Sequence, residues 1–473
     1  MSFRLIIITF LVLATASISL LAQTTVGTGE EDPFINDPFF SKPIEDFFQT
    51  SPSSNADSSS TKKSTSTKKN RNLKRVRNEG LDYGGYFEAG PYSSNPLFTA
   101  YPSLPMVHFN RANGLFLGAR SERMQWYNYG SILGISNINP HGMLGYSFGR
   151  DEWQYELGLE KHFGAQRRLI IGGEYYNAVT SDDYWRIGTT ENTISSLLAG
   201  YDFLDYYKQE GWGMYLLARS FRYFEGGVSY NVNKFSTVPQ SSSFQLFGAD
   251  NYRLNPPVDV RYGQQIDTLS TTGLSFSGVF NPKTFMLTNI FTFSISGKLE
   301  IADPAFGNTD YEFHKYTAEI ISYLNFEPGS ILKHRLMVGS ITGNAPLMKE
   351  FNLGGPGSLR ALPVKSLPAG SLSGNKMVLS TFELQFGSPN YGYGGWIDFD
   401  DFYLSLFLDS GWINNNTSFN KRFSDGFEDF EVSEFIHNGG IGLGTNFIRA
   451  ELAWDLRDTS IDPVLWIRFN PTF

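Results

Sequence analysis

The sequence predicts an all-β protein, a transmembrane antiparallel β-barrel of about sixteen strands, preceded by a disordered tail. The first observation is composition. Of 473 residues 16% are aromatic and only 18% charged, with 47 glycines and no cysteine. Beyond the N-terminus no apolar run approaches the roughly 20 residues that a spanning helix needs. The second is alternation. In 291–301 Phe291, Phe293, Ile295, Gly297, Leu299 and Ile301 interleave with Thr292, Ser294, Ser296, Lys298 and Glu300, so one face meets lipid and the other water. The third is where the charges fall. Arg449, Glu451 and Asp455 oppose Ile448, Ala450, Leu452 and Trp454, while Glu156 and Glu160 oppose Trp153, Tyr155, Leu157 and Leu159. Inward charges are costly in a soluble sandwich core and ordinary in a wet barrel lumen.

In chain order, residues 1–22 read as a secretory signal peptide: Arg4, an apolar run from Leu5, then small residues to Ala22. With no cysteine at the cleavage site, lipoprotein processing is excluded. Residues 23–80 have no periodicity and read as a disordered periplasmic tail. Its first part is acidic and carries Phe34, Phe39, Phe40, Phe47 and Phe48; its end is a basic run that includes Lys68, Lys69, Lys74, Arg75 and Arg77. Two readings stay open there, a solvated linker or phenylalanines that dock on a periplasmic partner beside a run that touches anionic headgroups. Residues 81–106 lead in to a barrel over 107–473. The net charge of −9 says little about partners, because the charges are segregated.

The alternation marks about fifteen strands, at 109–121, 142–150, 153–160, 168–176, 213–220, 226–235, 271–280, 291–301, 316–326, 334–342, 376–386, 402–413, 437–445, 447–456 and 464–473. Single-chain barrels usually close with an even number, so one more strand is expected, in 236–266 or 304–314. At 193–207 the period changes: Ile194, Leu197, Leu198, Tyr201 and Leu204 recur at helical spacing. A small rim helix and a membrane-surface helix both fit. The stretch 351–363 is a shaped loop in which Gly354, Gly355, Pro356 and Gly357 turn the backbone tightly and present Arg360. In 377–386 the outward Val378, Phe382, Leu384 and Phe386 turn Glu383 inward, and in 402–412 Leu404, Leu406 and Leu408 turn Asp409 inward. Gly411 leaves room for a close approach.

The ordered set Gly354-Gly355-Pro356-Gly357-Ser358-Leu359-Arg360, then Phe382-Glu383-Leu384, then Phe407-Leu408-Asp409-Ser410-Gly411 resembles the bacterial surface antigen family, within the superfamily of outer-membrane protein assembly and translocation barrels. Residues 109–115 also look like the opening strand of its barrels, and the likeness covers roughly 107–473. The chain departs from the family's pattern after the arginine, where Ala361 and Leu362 replace a glycine and an aromatic. It looks like the branch without POTRA domains. The resemblance implies that the loop folds into the lumen and that Arg360 engages Glu383 and Asp409, which suits a planar, permanently charged fork. The end of the chain, with Phe469 and a terminal Phe473, resembles the signal by which such barrels are recognised for insertion.

The expected location is therefore the Gram-negative outer membrane. The expected role is assistance in the insertion or translocation of proteins or lipids there; a passive channel or a scaffold in a larger complex is the alternative. Expected partners are outer-membrane lipids and periplasmic or outer-membrane proteins, with no nucleic acid. No enzyme, cofactor or metal site is expected: the six histidines show neither a nucleophile motif nor ligand spacing.

Overall fold

The computed structural model describes residues 104–469 apart from 122–130, 133–134, 137, 164–168, 221–223, 248–251, 281–290, 328–329, 369–372, 388–401, 416–421, 429, 446–447, 459 and 461. The signal peptide expected at 1–22, the tail at 23–80, the lead-in as far as residue 103 and Phe473 lie outside the described residues.

Sixteen strands form one antiparallel sheet, each paired with its neighbour in chain order. They are β1 (Leu104–Asn110), β2 (Gly114–Ser121), β3 (Ile138–Ser147), β4 (Glu152–Phe163), β5 (Leu169–Thr180), β6 (Tyr207–Ser220), β7 (Phe224–Thr237) and β8 (Thr268–Phe280). There follow β9 (Phe291–Ala302), β10 (Glu312–Glu327), β11 (Ser330–Asn344), β12 (Lys376–Phe386), β13 (Tyr403–Asn414), β14 (Ile436–Gly444), β15 (Ile448–Asp455) and β16 (Val464–Phe469). A helix, α1 (Thr189–Ala199), stands between β5 and β6. It ends at Gly200, whose φ of 73° closes the last turn with an amide that donates to the carbonyls of Ser195 and Ser196.

Burial is inverted relative to a soluble protein. Along β4, Trp153 and Leu157 are 60% and 62% exposed while Glu156 and Glu160 are each 2% exposed. The outer surface is thus apolar and the inner wall polar, as lipid outside and water inside require. Among the described residues no helix is long and apolar enough to cross a membrane; the strands make the crossing. At one rim lie the long connections 181–206, 238–267 and 345–375, and by the usual asymmetry of such barrels that rim is extracellular.

The count of sixteen agrees with expectation, but the sixteenth strand is elsewhere. It lies at the start, because 109–121 is not one strand: the chain reverses at 111–113, and Asn110 pairs with Gly114. Asn110 drives the turn through its side chain, whose Oδ1 accepts from the amides of Ala112 and Asn113 at 3.0 and 2.7 Å. The region 236–266 instead carries the two strands of a small separate hairpin, Asp259–Arg261 and Gln264–Ile266, and 304–314 adds none beyond the start of β10. The helix, expected at 193–207, sits at Thr189–Ala199 and buries Glu191, Asn192, Ser195 and Ser196, with its apolar stripe only partly covered. A helix against a polar inner wall packs through its polar side, so the apolar period that reveals it misplaces its contact face.

Candidate functional site

The loop between β11 and β12 folds onto the inner wall. Leu353, Leu359 and Leu362 pack with Phe351, Met337, Ile341, Met377 and Leu379, while Phe351 bridges Gly374 and Leu353 bridges Leu367. Gly354, Gly355 and Gly357 have φ of 112°, 87° and 71°. At Gly357 the demand is steric as well, since a Cβ there would lie 1.8 Å from the carbonyl oxygen of Arg186. Pro356 is buried at the turn between them.

The turn delivers Arg360, 1% exposed, into a nest of carboxylates. Its Nε and Nη2 donate to the two oxygens of Asp409 on β13 at 2.8 and 2.9 Å, a bidentate fork. Nη1 donates to Glu383 of β12 at 3.4 Å and to Glu451 of β15 at 3.2 Å. The guanidinium carbon lies 3.5 Å from the ring centre of Phe407. The backbone of the same residues is held too: Trp466 of β16 donates its indole N–H to the Arg360 carbonyl at 2.7 Å, and the Ala361 amide donates to Asn438 of β14 at 3.1 Å.

The network continues beyond these three carboxylates. Arg449 donates to Glu383 at 2.6 Å and also pairs with Glu451. Arg468 of β16 lies 3.8 Å from Glu451 and forks onto Glu191 of α1 at 2.8 and 3.0 Å. Arg360, Arg449 and Arg468 thus alternate with Asp409, Glu383, Glu451 and Glu191, so that each buried charge meets an opposite one.

Rim contacts bind the other loops to this one. Arg186 donates to the carbonyls of Gly354 and Asn352 at 2.8 and 2.7 Å. Lys365 pairs with Asp183 and Asp205. Arg111, in the β1–β2 turn, reaches Asp202 and Asp205 at 3.3 and 3.2 Å. Burial pushes the Asp205 carboxyl up, but Lys365, Arg253 and Arg111 more than offset it and hold that carboxyl well below the usual carboxylate range.

The structure brings Arg360, Glu383 and Asp409 together. Gly411 lies beneath the loop, where a Cβ would meet Leu353 Cδ1 and Leu359 Cδ1, each at 3.0 Å. Phe469 ends β16 opposite Ile448, away from this cluster. The sequence reading did not assign Glu451, Arg449, Arg468 or Glu191 to the site. Strand parity turns Arg449 and Glu451 inward, and Arg468 too, since it alternates with the outward Leu465 and Ile467; nothing local points to Glu191. Arg111, read there as part of an opening strand, is a turn residue at the rim.

Gly411→Val is expected to lift the loop, because the leucine tips cannot yield without opening the apolar cluster. A loss of about 1–3 kcal/mol, read as a lower unfolding temperature in detergent and as protease cutting within 351–368, checks this.

A lipid-faced, polar-lined barrel with a long loop fastened to its inner wall by buried charges defines an outer-membrane β-barrel with a lumen-docked loop. Residues 224–470 match the Omp85 superfamily domain, and the chain belongs to the Omp85 superfamily of Gram-negative outer-membrane barrels. Among solved structures it is similar in fold to BamA from Haemophilus ducreyi lacking POTRA domains 1-3, at 13% identity over 84% of this chain and 77% of that one, TM-score 0.48. It is similar also to CdiB from Acinetobacter baumannii, at 11% identity over 78% and 58% of the two chains, TM-score 0.40. CdiB from Escherichia coli gives 12% identity over 78% and 62%, TM-score 0.41. No curated protein matches the chain.

Proposed function

We propose that this barrel assists the insertion or translocation of polypeptides at the outer membrane through the seam between β1 and β16, while the Arg360 loop braces the lumen. Superfamily membership supports the class of activity. One observation carries the reading of the seam: among the described residues every strand is joined to the next by a ladder, yet none joins β16 to β1. Unpaired edges are a template for an added strand, and here they face each other across α1. The Phe109 amide donates to Thr193 Oγ1 at 3.3 Å on one side, and Arg468 holds Glu191 on the other. The role is non-enzymatic, a matter of binding and opening. Its partners are then the unfolded polypeptide and the surrounding lipid.

The test is reconstitution of the full chain into liposomes, with an unfolded outer-membrane barrel as the probe. Faster acquisition of protease resistance by the probe than in empty liposomes supports the proposal. No acceleration, together with a large and stable single-channel conductance, would replace it with a passive pore.

A further inference from the structure

Away from the arginine network, a second set of charged side chains is buried on the wall formed by β3, β4 and β5. His141, Glu156 and Glu174 each offer a ligand atom, and those atoms all lie within 4.8 Å of one another. Register explains the meeting. His141 pairs with Gly158, and Gly158 with Glu174, so the three positions make one row across the sheet. The middle member has no side chain, and the imidazole occupies that gap: a Cβ on Gly158 would lie 2.1 Å from His141 Nε2. Glycine therefore lets the ring extend over β4 until Nε2 stands 3.6 Å from Glu174 Oε2. Glu156, two residues before Gly158 on the same inward face of β4, supplies the third side.

His141 is 7% exposed, and neither ring nitrogen has a hydrogen-bond partner. A buried polar group without a partner is unfavourable, and native structures keep few of them. The 3.6 Å separation is too long for a good hydrogen bond. It does suit two ligands of one ion: at metal–ligand distances of about 2.1 Å, tetrahedral neighbours stand roughly 3.4 Å apart.

The geometry points to a divalent-cation site built from the His141 imidazole and the Glu156 and Glu174 carboxylates. One nitrogen and two or more oxygens suit Zn2+, whereas Mg2+ and Ca2+ favour shells of oxygen alone. A dication would lie with favourable charge between the two buried carboxylates. It also ties three adjacent strands through side chains, adding to their ladders. The sequence hides the site because its members lie on three strands and no short spacing joins them.

The experiment uses the full chain without an affinity tag, folded in detergent, stripped with chelator and titrated with zinc chloride. One zinc per chain is expected, with a nitrogen-and-oxygen shell at about 2.0–2.1 Å by X-ray absorption. The unfolding temperature should rise with zinc and not with an equal concentration of magnesium. His141→Gln and Glu174→Gln should each weaken zinc binding more than about tenfold. Gly158→Ala, which keeps every ligand and displaces the ring, should weaken it as well. Absence of bound zinc in the unmutated chain would overturn the site. Zinc retained undiminished by both ligand variants would overturn it too, by placing the ion at another histidine. If the ligand variants fail to fold, the absorption spectrum of the unmutated chain decides by itself, since a shell lacking an imidazole signature excludes His141.

Discussion

Arg360→Ala is expected to lower the stability of the folded barrel by about 3–5 kcal/mol, the range for breaking a buried ion pair through the loss of one partner. Asp409 is 0% exposed and Glu383 is 1% exposed, so water does not reach them to replace the guanidinium. Glu383 and Glu451 keep Arg449 as a partner, and the largest loss therefore falls on Asp409, whose bidentate contact is with Arg360. Arg360→Lys should recover part of the loss, because a point charge restores the attraction and not the planar fork. Asp409→Asn should be milder than Asp409→Lys, which sets like charge against Arg360. The midpoint of the heat-dependent shift in electrophoretic mobility, measured in detergent, ranks the series. An Arg360→Ala midpoint equal to that of the parent chain would show that the leucine cluster alone holds the loop.

Part of that arrangement was legible in the sequence for a physical reason. A strand has a period of two, so once Leu404, Leu406 and Leu408 are assigned to lipid, Asp409 must face inward, and the same parity turns Glu383 inward. A run containing Gly354, Gly355 and Gly357 must turn, and Arg360 is the charged residue it presents. Parity gives two inward carboxylates and the loop one presented arginine; that they pair is what the resemblance to the bacterial surface antigen family implies. The rest depends on closure of the sheet, which no local pattern encodes. Arg468 and Glu191 lie 277 positions apart and meet because the sheet curls until its last strand stands beside a helix inserted after β5. Arg111 was misread because the Asn110 side chain makes a tight turn inside what looks like one continuous alternation; without that hairpin the strand count is odd.

A covalent tether between α1 and β16 is expected to arrest insertion or translocation while leaving the barrel folded. Glu191→Cys with Arg468→Cys supplies the two thiols in a chain that has no other cysteine, and a thiol-cleavable crosslinker can span them. The two residues sit on opposite sides of one buried bidentate contact, so opening the seam there must break it. If that costs about 3–5 kcal/mol, the open state is populated at below about 1% without a substrate. Opening then requires a substrate that binds the open edges better than the closed seam. Because Arg186 fastens the segment before α1 to Gly354 and Asn352, release of α1 also pulls on the Arg360 loop, and the seam and the lumen brace are expected to respond together. Glu191→Gln weakens the contact without adding a tether, and should increase the frequency of brief conductance events in planar bilayers. Cleavage of the crosslinker should restore activity in the liposome assay. Full activity with the tether intact would show that α1 stays in place and that polypeptide passes by another route.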